Sequence, residues 1–529
     1  MPLPRRSCAR ALLAATVAWV ALATNACRGG ESNPQRRTLI DSRDRYDPRS
    51  LDPALATDVP TGRAVSYLFD GLTRFSPDAR VHPALAERWD VSPDGRTYTF
   101  HLRRGVRFHD GTPFVARQVV ASWQRVLDPK TRSGGASTLT PIAGATAFAE
   151  GKAATVAGLQ AVDDSTLRVT LTQPLAVFPT LLAMPVAAVV PDIVPADFGQ
   201  NPNGTGPWKL VEWKHDDYIL LAKNPSYYGG APRSDSLMAR VIPDPSTSVA
   251  EFEGGNVDLL YVPEAETRRW EQTDEKNARL VSAPALRLWY VGINTTRGPL
   301  KDPRVRQAIN HAVDVPTILD RIIGGRGRVA AGVIPPALPG SDTSRRPYPY
   351  DPAKAKQLLA AAGYPNGIDV KLWHSADQSF ARVGQSIQGY LNAAGIRAVL
   401  VEREAAAMRA AARKGETDLV LKDWYADYPD AENFLYPLLH SANHGQGGAN
   451  VSFYTNAEYD RLVNEARGEG NEGRRLDLYR QADAIAFRDA PMLFLFFYNE
   501  LYAVQPWIKG FEVPTIFNGQ RWTDVTISR

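Results

Sequence analysis

An acidic and aromatic segment late in the chain carries the clearest binding chemistry. Residues 423–430 read DWYADYPD, which places three carboxylates and three aromatic rings within eight positions. Ligand sites commonly combine apolar or aromatic walls with a few polar groups that fix orientation, and this segment matches that composition. The chain contains no nucleophile elbow, HExxH or P-loop motif. The segment therefore indicates ligand binding, and we predict that the protein is not an enzyme.

The elements before this segment alternate between strand and helix. The predicted elements are strands over 368–373, 396–402 and 418–422 and helices over 378–394 and 404–414. Such alternation is typical of parallel strands joined by right-handed crossovers. Ligands of open α/β sheets bind beyond the carboxyl ends of the strands. Because Asp423 directly follows the predicted strand that ends at Lys422, residues 423–430 are the first candidate site.

Three more helices in this half begin at an aspartate with a proline one or two positions later. These aspartates are Asp302, Asp314 and Asp351. Aspartate caps the free N–H groups of a first helical turn, and proline is tolerated there. The second half of the chain is therefore predicted to be an α/β unit.

The first half shows a different pattern. Tyr98, Phe100 and Leu102 alternate with polar residues, which predicts a half-buried strand, and a second strand is expected over 106–108. Thr112 is expected to cap a helix that Asp128 ends. This region is predicted to be mixed α+β.

The N-terminus resembles a targeting segment. Arg5, Arg6 and Arg10 precede an apolar stretch, residues 11–23, which is too short to span a membrane. Residues 1–26 are predicted to be a signal peptide. Ala26-Cys27 then resembles a bacterial lipobox, so Cys27 is the predicted lipidation site and residues 27–38 the tether. The alternative is an ordinary cleaved signal peptide with an incidental cysteine.

The net charge and the positions of the cysteines argue against several classes of binding protein and of metal or disulfide site. The formal net charge of +4 falls to +1 once the three arginines of residues 1–26 are removed, since that segment contains no acid. A nearly neutral protein gives no indication of nucleic-acid binding. The two cysteines, Cys8 and Cys27, both lie near the N-terminus, so no disulfide or multi-cysteine metal site is expected in the body of the chain.

Seven segments, in order, resemble the bacterial extracellular solute-binding proteins of peptide ABC transporters (solute-binding family 5). They are LDPALATDVP, FDGLTRF, PALAERWDVSPDGRTYTFHLRRGVRFHDGTPF, GTGPWKLVEW, KNPSYYGG, GINTTRGPLKDPRVRQAINHAVD and WYADYPDAENF. The resemblance covers nearly the whole mature chain. It implies an α/β, bilobed periplasmic-binding-protein fold with hinge strands and an extra α+β domain.

The resemblance also implies a domain division. Lobe I would be discontinuous, lobe II continuous, and the accessory domain would lie beside lobe I. The expected limits are 36–68, 190–283 and 501–529 for lobe I, 69–189 for the accessory domain and 284–500 for lobe II.

By the same resemblance, the site would enclose a peptide between the lobes. Asp427 matches the aspartate that pairs with the peptide ammonium. The peptide amides would pair by strand addition with two backbone strips, Asp423-Trp424-Tyr425 and Thr57-Asp58-Val59. Lys422 and Arg413 are the nearby basic residues that could bind the carboxylate. Asp430 remains an alternative anchor, and Trp424 and Tyr425 have an alternative interpretation as core aromatics.

The implied partners are a peptide ligand, an ABC permease with its ATPase subunits, and the membrane through a lipid on Cys27. The protein is expected to be monomeric, to need no cofactor and to work in the periplasm or at the extracytoplasmic face. Alternatives within the fold are a nickel chelate, haem or sugar ligand, or a role as a ligand-sensing receptor. His440 and His444 are four residues apart, but a glycine- and asparagine-rich context predicts a loop, so no metal site is expected.

Overall fold

The computed structural model describes residues 38–272, 278–445 and 448–528. The predicted signal peptide and Cys27 lie outside these residues, as does most of the predicted tether. The strands are β1 (Thr38–Asp41), β2 (Thr73–Phe75), β3 (Val81–Pro83), β4 (Ala86–Val91), β5 (Thr97–Leu102), β6 (Leu159–Asp163), β7 (Thr166–Thr170), β8 (Trp208–Lys214), β9 (Tyr218–Lys223), β10 (Ser236–Arg240), β11 (Leu259–Tyr261), β12 (Arg279–Ile293), β13 (Gly327–Val329), β14 (Ile368–Ser375), β15 (Ile396–Arg403), β16 (Leu419–Tyr425), β17 (Met492–Val504), β18 (Ile508–Lys509) and β19 (Thr526–Ile527).

The α-helices lie mostly in the second half of the chain. They are α1 (Val59–Leu68), α2 (Ala116–Leu127), α3 (Ala145–Ala149), α4 (Phe178–Leu181), α5 (Pro245–Glu253), α6 (Thr267–Glu271), α7 (Pro303–Ala312), α8 (Val315–Arg321), α9 (Pro352–Ala361), α10 (Gln378–Ala393), α11 (Ala405–Arg413), α12 (Glu432–Leu439), α13 (Ala457–Gly468) and α14 (Glu472–Asp489). Within the described residues, no helix is both long and apolar enough to cross a membrane.

A seven-stranded sheet organises the second half. Its order is β11-β17-β12-β16-β14-β15, with β13 paired to β17. β14 pairs in parallel with both β15 and β16, which confirms the predicted parallel pairing. β12 and β17 are antiparallel to their neighbours, so the sheet is mixed.

The two faces of this sheet pack against separate helices. On one face, Trp289 of β12 and Phe496 of β17 belong to a core with α7 and α10. On the other face, Tyr290 and Phe494 pack with α12, α13 and α14. Because successive strand residues point to opposite faces, a helix-covered sheet of this kind needs continuous apolar strands, which MLFLFFY at 492–498 provides.

Two four-stranded sheets occupy the first half, with the orders β1-β10-β9-β8 and β4-β5-β7-β6. β5 confirms the predicted alternation, since Tyr98, Phe100 and Leu102 are all buried. The aspartates 302, 314 and 351 cap α7, α8 and α9 as predicted.

Two local predictions in this half are wrong. Thr112 does not cap a helix, because its side chain bonds to Asp110 and α2 begins only at Ala116, after Val115. The second strand, expected over 106–108, is reduced to one bridge between Arg107 and Pro113. Both differences arise because residues 107–113 fold back as a tight turn instead of entering the helix.

The C-terminal segment returns to the first half of the chain. Arg521 donates to the Asp70 carboxylate at 2.5 Å and to the carbonyls of Ser66 and Phe69. Trp522 is fully buried beside Tyr67 and donates to its hydroxyl at 3.1 Å. The end of the chain is therefore part of the core formed by residues near the beginning.

Candidate ligand-binding site

β16 has one edge without a strand partner over part of its length. On one side, Leu419 to Tyr425 pair with β12 along the whole strand. On the other side, the ladder with β14 covers only Leu419 and Val420. Among the described strands, none pairs with this second edge from Leu421 to Tyr425. Such an edge presents backbone N–H and C=O groups to an added strand.

β16 extends further than predicted. The sequence prediction ended the strand at Lys422, but Asp423, Trp424 and Tyr425 continue it opposite Trp289, Leu288 and Arg287. These three residues therefore lie within the strand and not beyond it. The partner strand is about 130 residues away in sequence, so local patterning gave no indication of the extension.

Asp427 lies just beyond the end of β16, where a buried asparagine fixes the backbone. The Asn433 side-chain oxygen accepts from the Asp427 N–H at 3.0 Å and from the Trp424 indole N–H at 3.2 Å. Asn433 is only 2% exposed. Asn433 was not predicted from the sequence, because its role depends on the turn that returns α12 towards β16.

Asp427 is exposed to solvent, although protein atoms surround part of its side chain. This partial burial raises its pKa to about 6, and the Asn433 side chain partly opposes that rise. Among the described residues, no cation forms a salt bridge with Asp427, so its charge lacks a cationic partner there.

Asp430, the alternative anchor, already has a partner. Its carboxylate is 2.6 Å from a guanidinium nitrogen of Arg475, and it also accepts from the Glu432 backbone N–H. A carboxylate engaged in both contacts is a structural group of the turn that begins α12. The geometry therefore favours Asp427 over Asp430 as a group available to a ligand.

A basic cluster lies towards the beginning of the same strand edge. Burial, with smaller contributions from the charges of Arg413 and Arg409, lowers the pKa of Lys422 to about 8, although Asp423 opposes the shift. Arg413 lies in the last turn of α11 and is exposed. The nearest acid in sequence, Asp423, is held by Arg287 at 2.8 Å. An anion near Lys422 would relieve the repulsion among these three cations.

Arg287 was not predicted to belong to the site. Its guanidinium lies over the rings of Trp289 and Tyr498, at 5.4 and 5.1 Å from their centroids. Burial would lower its pKa, but Asp423 and neighbouring tyrosines raise the pKa above its ordinary value. Asp423 is thus committed to Arg287, and its side chain is not a free ligand group.

The second predicted strip differs from the expectation. Thr57 and Asp58 precede α1 and Asp58 is extended, but Val59 is the first residue of α1. Asp58 caps that helix by accepting from the Thr61 N–H at 2.9 Å. Val59 of the predicted strip therefore begins a helix, because Asp58 and the following Pro60 form a helix start, and the pairing of residues 57–59 with a ligand stays a prediction.

Phe517, in the C-terminal segment, lies between α1 and the end of β16. The Phe517 ring is 6.4 Å from the Tyr425 ring of β16. It is also close to α1, because a Cβ atom added to Gly62 would lie 2.7 Å from the Phe517 ring. Tyr425 is half-buried in this contact. Trp424, also half-buried, packs against the core around α12. Both aromatic residues therefore pack against the protein itself: Trp424 against the core around α12, and Tyr425 against Phe517 of the C-terminal segment.

Comparison with known proteins identifies the family. Residues 80–446 match the family of bacterial extracellular solute-binding proteins, family 5. The chain belongs to this family. It is 34% identical over 487 residues to the heme-binding protein A of Haemophilus influenzae, which covers 88% of each chain. It is 30% identical over 456 residues to the glutathione-binding protein GsiB of Escherichia coli, covering 84% of this chain and 86% of the relative.

The family's solved structures have the same bilobed fold. The periplasmic binding protein DppA from Helicobacter pylori, in complex with peptide STSA, has 29% identity and a TM-score of 0.78. The alignment covers 93% of this chain and 98% of DppA. The predicted fold class is therefore confirmed: a mixed α/β, bilobed solute-binding protein.

The two histidines of residues 440–444 do not form a pair on one helix. His440 follows α12 and its Nδ1 accepts from the Ala442 N–H, whereas the ring of His444 contacts the Tyr454 carbonyl at 2.8 Å. Among the described residues, no group of three histidines, cysteines or acids is placed to hold a metal ion. Each histidine has a structural partner in the loop.

Proposed function

We propose that this protein is the extracytoplasmic binding component of an ABC importer and that it captures short peptides. The free edge of β16, flanked by Asp427 and Lys422, carries this proposal. A peptide offers a row of amides with an ammonium and a carboxylate at opposite ends. Each group loses water on enclosure and needs a partner in the protein.

Each of these groups would have one partner in the protein. The β16 edge from Leu421 to Tyr425 would form hydrogen bonds with the peptide amides, and these bonds would not depend on the peptide side chains. Asp427 would bind the ammonium, and Lys422, with Arg413 nearby, would bind the carboxylate. The five-residue interval from Lys422 to Asp427 spans at most about 17 Å if fully extended, so an extended peptide of about five residues would be long enough to reach both groups.

Closure of the lobes would enclose the ligand. The described structure already has contacts of this kind: the Ala176 N–H donates to the Arg467 carbonyl at 3.1 Å, and Tyr428 packs against the core of the first half. We propose that residues 36–68, 190–283 and 501–529 form lobe I, 284–500 lobe II and 69–189 the accessory domain. The ligand must bind the closed state better, and a permease would then recognise that state.

The location of the protein follows from the same proposal. Residues 1–26 would direct export, and a lipid on Cys27 would hold the protein at the outer side of the membrane through the tether of residues 27–38. The protein would then act as a monomer beside its permease. Metabolic labelling with a fatty acid, lost in Cys27→Ser, tests the anchor.

Native mass spectrometry of the mature protein without Cys27 tests the ligand class. We expect a ladder of bound masses that denaturation releases as short peptides of mixed sequence, because strand addition does not read side chains. A protein recovered empty is then titrated with tri-alanine and with glutathione, the compound in the name of the relative GsiB. A bound metal chelate, sugar or haem, together with no affinity for either peptide, would contradict the proposal.

Peptide affinity is expected to fall in mildly acidic solution. Burial raises the pKa of Asp427 to about 6, so protonation below that pH removes the charge that binds the ammonium. The association constant for tri-alanine should decrease by about tenfold from pH 7 to pH 5. Calorimetric titration measures this change, and Asp427→Asn should abolish it. A flat profile in the unaltered protein would contradict the role of Asp427.

A further inference from the structure

The accessory domain contacts lobe II at several places. The Ala176 N–H donates to the Arg467 carbonyl at 3.1 Å, at the end of α13. A Cβ atom added to the next residue, Gly468, would lie 3.9 Å from the Cβ of Pro174. Ala79, in the turn between β2 and β3, packs against the lobe II core that includes α12, α13 and α14. The accessory domain therefore meets lobe II along the side that these three helices form.

Tyr428 connects this domain contact with the proposed ligand anchor. It directly follows Asp427 in the chain, and its half-buried ring packs against the hydrophobic core of the accessory domain. Its hydroxyl donates to the carboxylate of Glu432, the first residue of α12. Tyr428 therefore contacts the accessory domain with its ring and lobe II with its hydroxyl.

The Glu432 carboxylate is also paired with Arg467, whose backbone contacts the accessory domain. The Glu432 Oε1 atom is 2.7 Å from the Arg467 Nε atom, and the two side chains are 2% and 17% exposed. The Arg467 guanidinium lies over the Tyr436 ring, 3.8 Å from its centroid. Because breaking a buried ion pair is costly, this pair fixes the end of α13 relative to the start of α12.

The first turn of α12 therefore holds both the ligand anchor and the domain contact. Asn433 accepts from the Asp427 N–H at 3.0 Å, and the preceding residue, Glu432, holds Tyr428 and Arg467. A ligand cation bound to Asp427 would restrain the turn between β16 and α12. The same restraint would keep the Tyr428 ring against the accessory domain, so ligand binding and domain docking would favour each other.

We infer that Tyr428 is a latch, a side chain that holds the accessory domain against lobe II and couples this docking to occupation of the Asp427 site. This inference rests on the proposed peptide-binding function. It gives the accessory domain a role in retaining the ligand, although that domain supplies none of the proposed ligand contacts. By linkage, docking raises the ligand affinity by the same factor by which the ligand favours docking, and such factors are about 5- to 150-fold.

An engineered disulfide between the two domains tests the docking. Pro174→Cys and Gly468→Cys are introduced together into the mature protein without Cys27, which contains no other cysteine. The Cβ separation of 3.9 Å is close to the roughly 3.8 Å that is usual for a disulfide. We therefore expect the bond to form on oxidation without displacing the backbone.

Release of radiolabelled tri-alanine is the readout. The double-cysteine protein is loaded in the reduced state and then oxidised, and the bound label is followed after excess unlabelled tri-alanine is added. We expect oxidation to slow the release by about tenfold or more, because the domains must separate before the ligand can leave. Reductant should restore the original rate, and Pro174→Cys alone should not respond to oxidation.

Tyr428→Ala in the double-cysteine protein distinguishes a latch from a residue that only shapes the anchor. In the reduced state this variant should release tri-alanine about tenfold faster than its parent. Oxidation should return the release to the rate of the oxidised parent, because the disulfide replaces the missing contact. The matched control is Tyr350→Ala, whose ring is exposed on the same lobe, and it should release at the parental rate.

The outcomes separate the two proposals. No disulfide on oxidation, release that the disulfide does not slow, or unchanged release in reduced Tyr428→Ala overturns the latch and leaves peptide capture intact. Fast release that persists in oxidised Tyr428→Ala shows damage to the anchor itself and also overturns the latch. Failure of both tri-alanine and glutathione to bind the reduced protein overturns both proposals. Faster release in reduced Tyr428→Ala, with recovery on oxidation, supports both.

Discussion

Replacing Asp427 with alanine is expected to weaken tri-alanine binding by about two to three and a half decades, equivalent to about 3–5 kcal/mol. The bound ammonium would be left enclosed without its counter-charge. The fold should survive, because Asp427 is accessible to water and its fixed contact with Asn433 uses the backbone N–H. Titration calorimetry measures the affinity, and circular dichroism checks the fold.

Asp430→Asn is the informative comparison for this variant. Asp430 is paired with Arg475, so its loss should lower the thermal stability more than the peptide affinity. If Asp427→Ala binds normally and Asp430→Asn does not, the ammonium anchor is Asp430. If neither variant changes affinity, the peptide does not use this turn.

Arg521→Met is expected to lower the free energy of unfolding by about 3–5 kcal/mol, since removal of one partner leaves a buried charge uncompensated. The side chain of Asp70 is 0% exposed and that of Arg521 7%. Arg521 also donates to two carbonyls, so several buried acceptors lose their donor together. Urea unfolding followed by tryptophan fluorescence measures the loss.

A nearby ion pair provides the control for this variant. Arg233 and Asp524 are 3.9 Å apart and both exposed, so Arg233→Met should cost about 0–1 kcal/mol. In the Arg521→Met background, Asp70→Asn should restore part of the stability, because it removes the stranded charge. Equal urea midpoints for Arg521→Met and Arg233→Met would show that the buried pair contributes nothing.

Local patterns in the sequence were sufficient to predict the elements whose formation depends mainly on residues adjacent in sequence. The aspartates 302, 314 and 351 cap helices because the free N–H groups of a first turn lie within reach of the preceding side chain. The alternation of apolar and polar residues was also sufficient to predict β5, since a strand that is buried on one face carries apolar residues at every second position. The Asp58-Val59-Pro60 start of α1 has the same kind of signal, although residues 57–59 were predicted as a binding strip through family resemblance.

The groups that complete the site depend on contacts distant in sequence. The end of β16 is fixed by pairing with β12, and Asp423 is neutralised by Arg287 from that strand. Phe517 reaches the site from the last part of the chain, and nothing in its immediate sequence marks it. Asp427 was predicted through family resemblance, and its role as the ammonium anchor remains a prediction.

The position of β17 has a consequence for how the molecule is made. This strand lies between β11 and β12, and Phe511 and Trp522 after it complete the core that contains Leu39 and Tyr67. The cores of the seven-stranded sheet and the core that contains Leu39 cannot be completed until residues from Met492 onward are available. Many of their contacts therefore join residues distant in sequence, which slows folding. During synthesis the ribosome would hold a chain that lacks its central strand. On the proposal that residues 1–26 direct export, such a delay would keep these parts of the polypeptide unfolded until it has crossed the membrane.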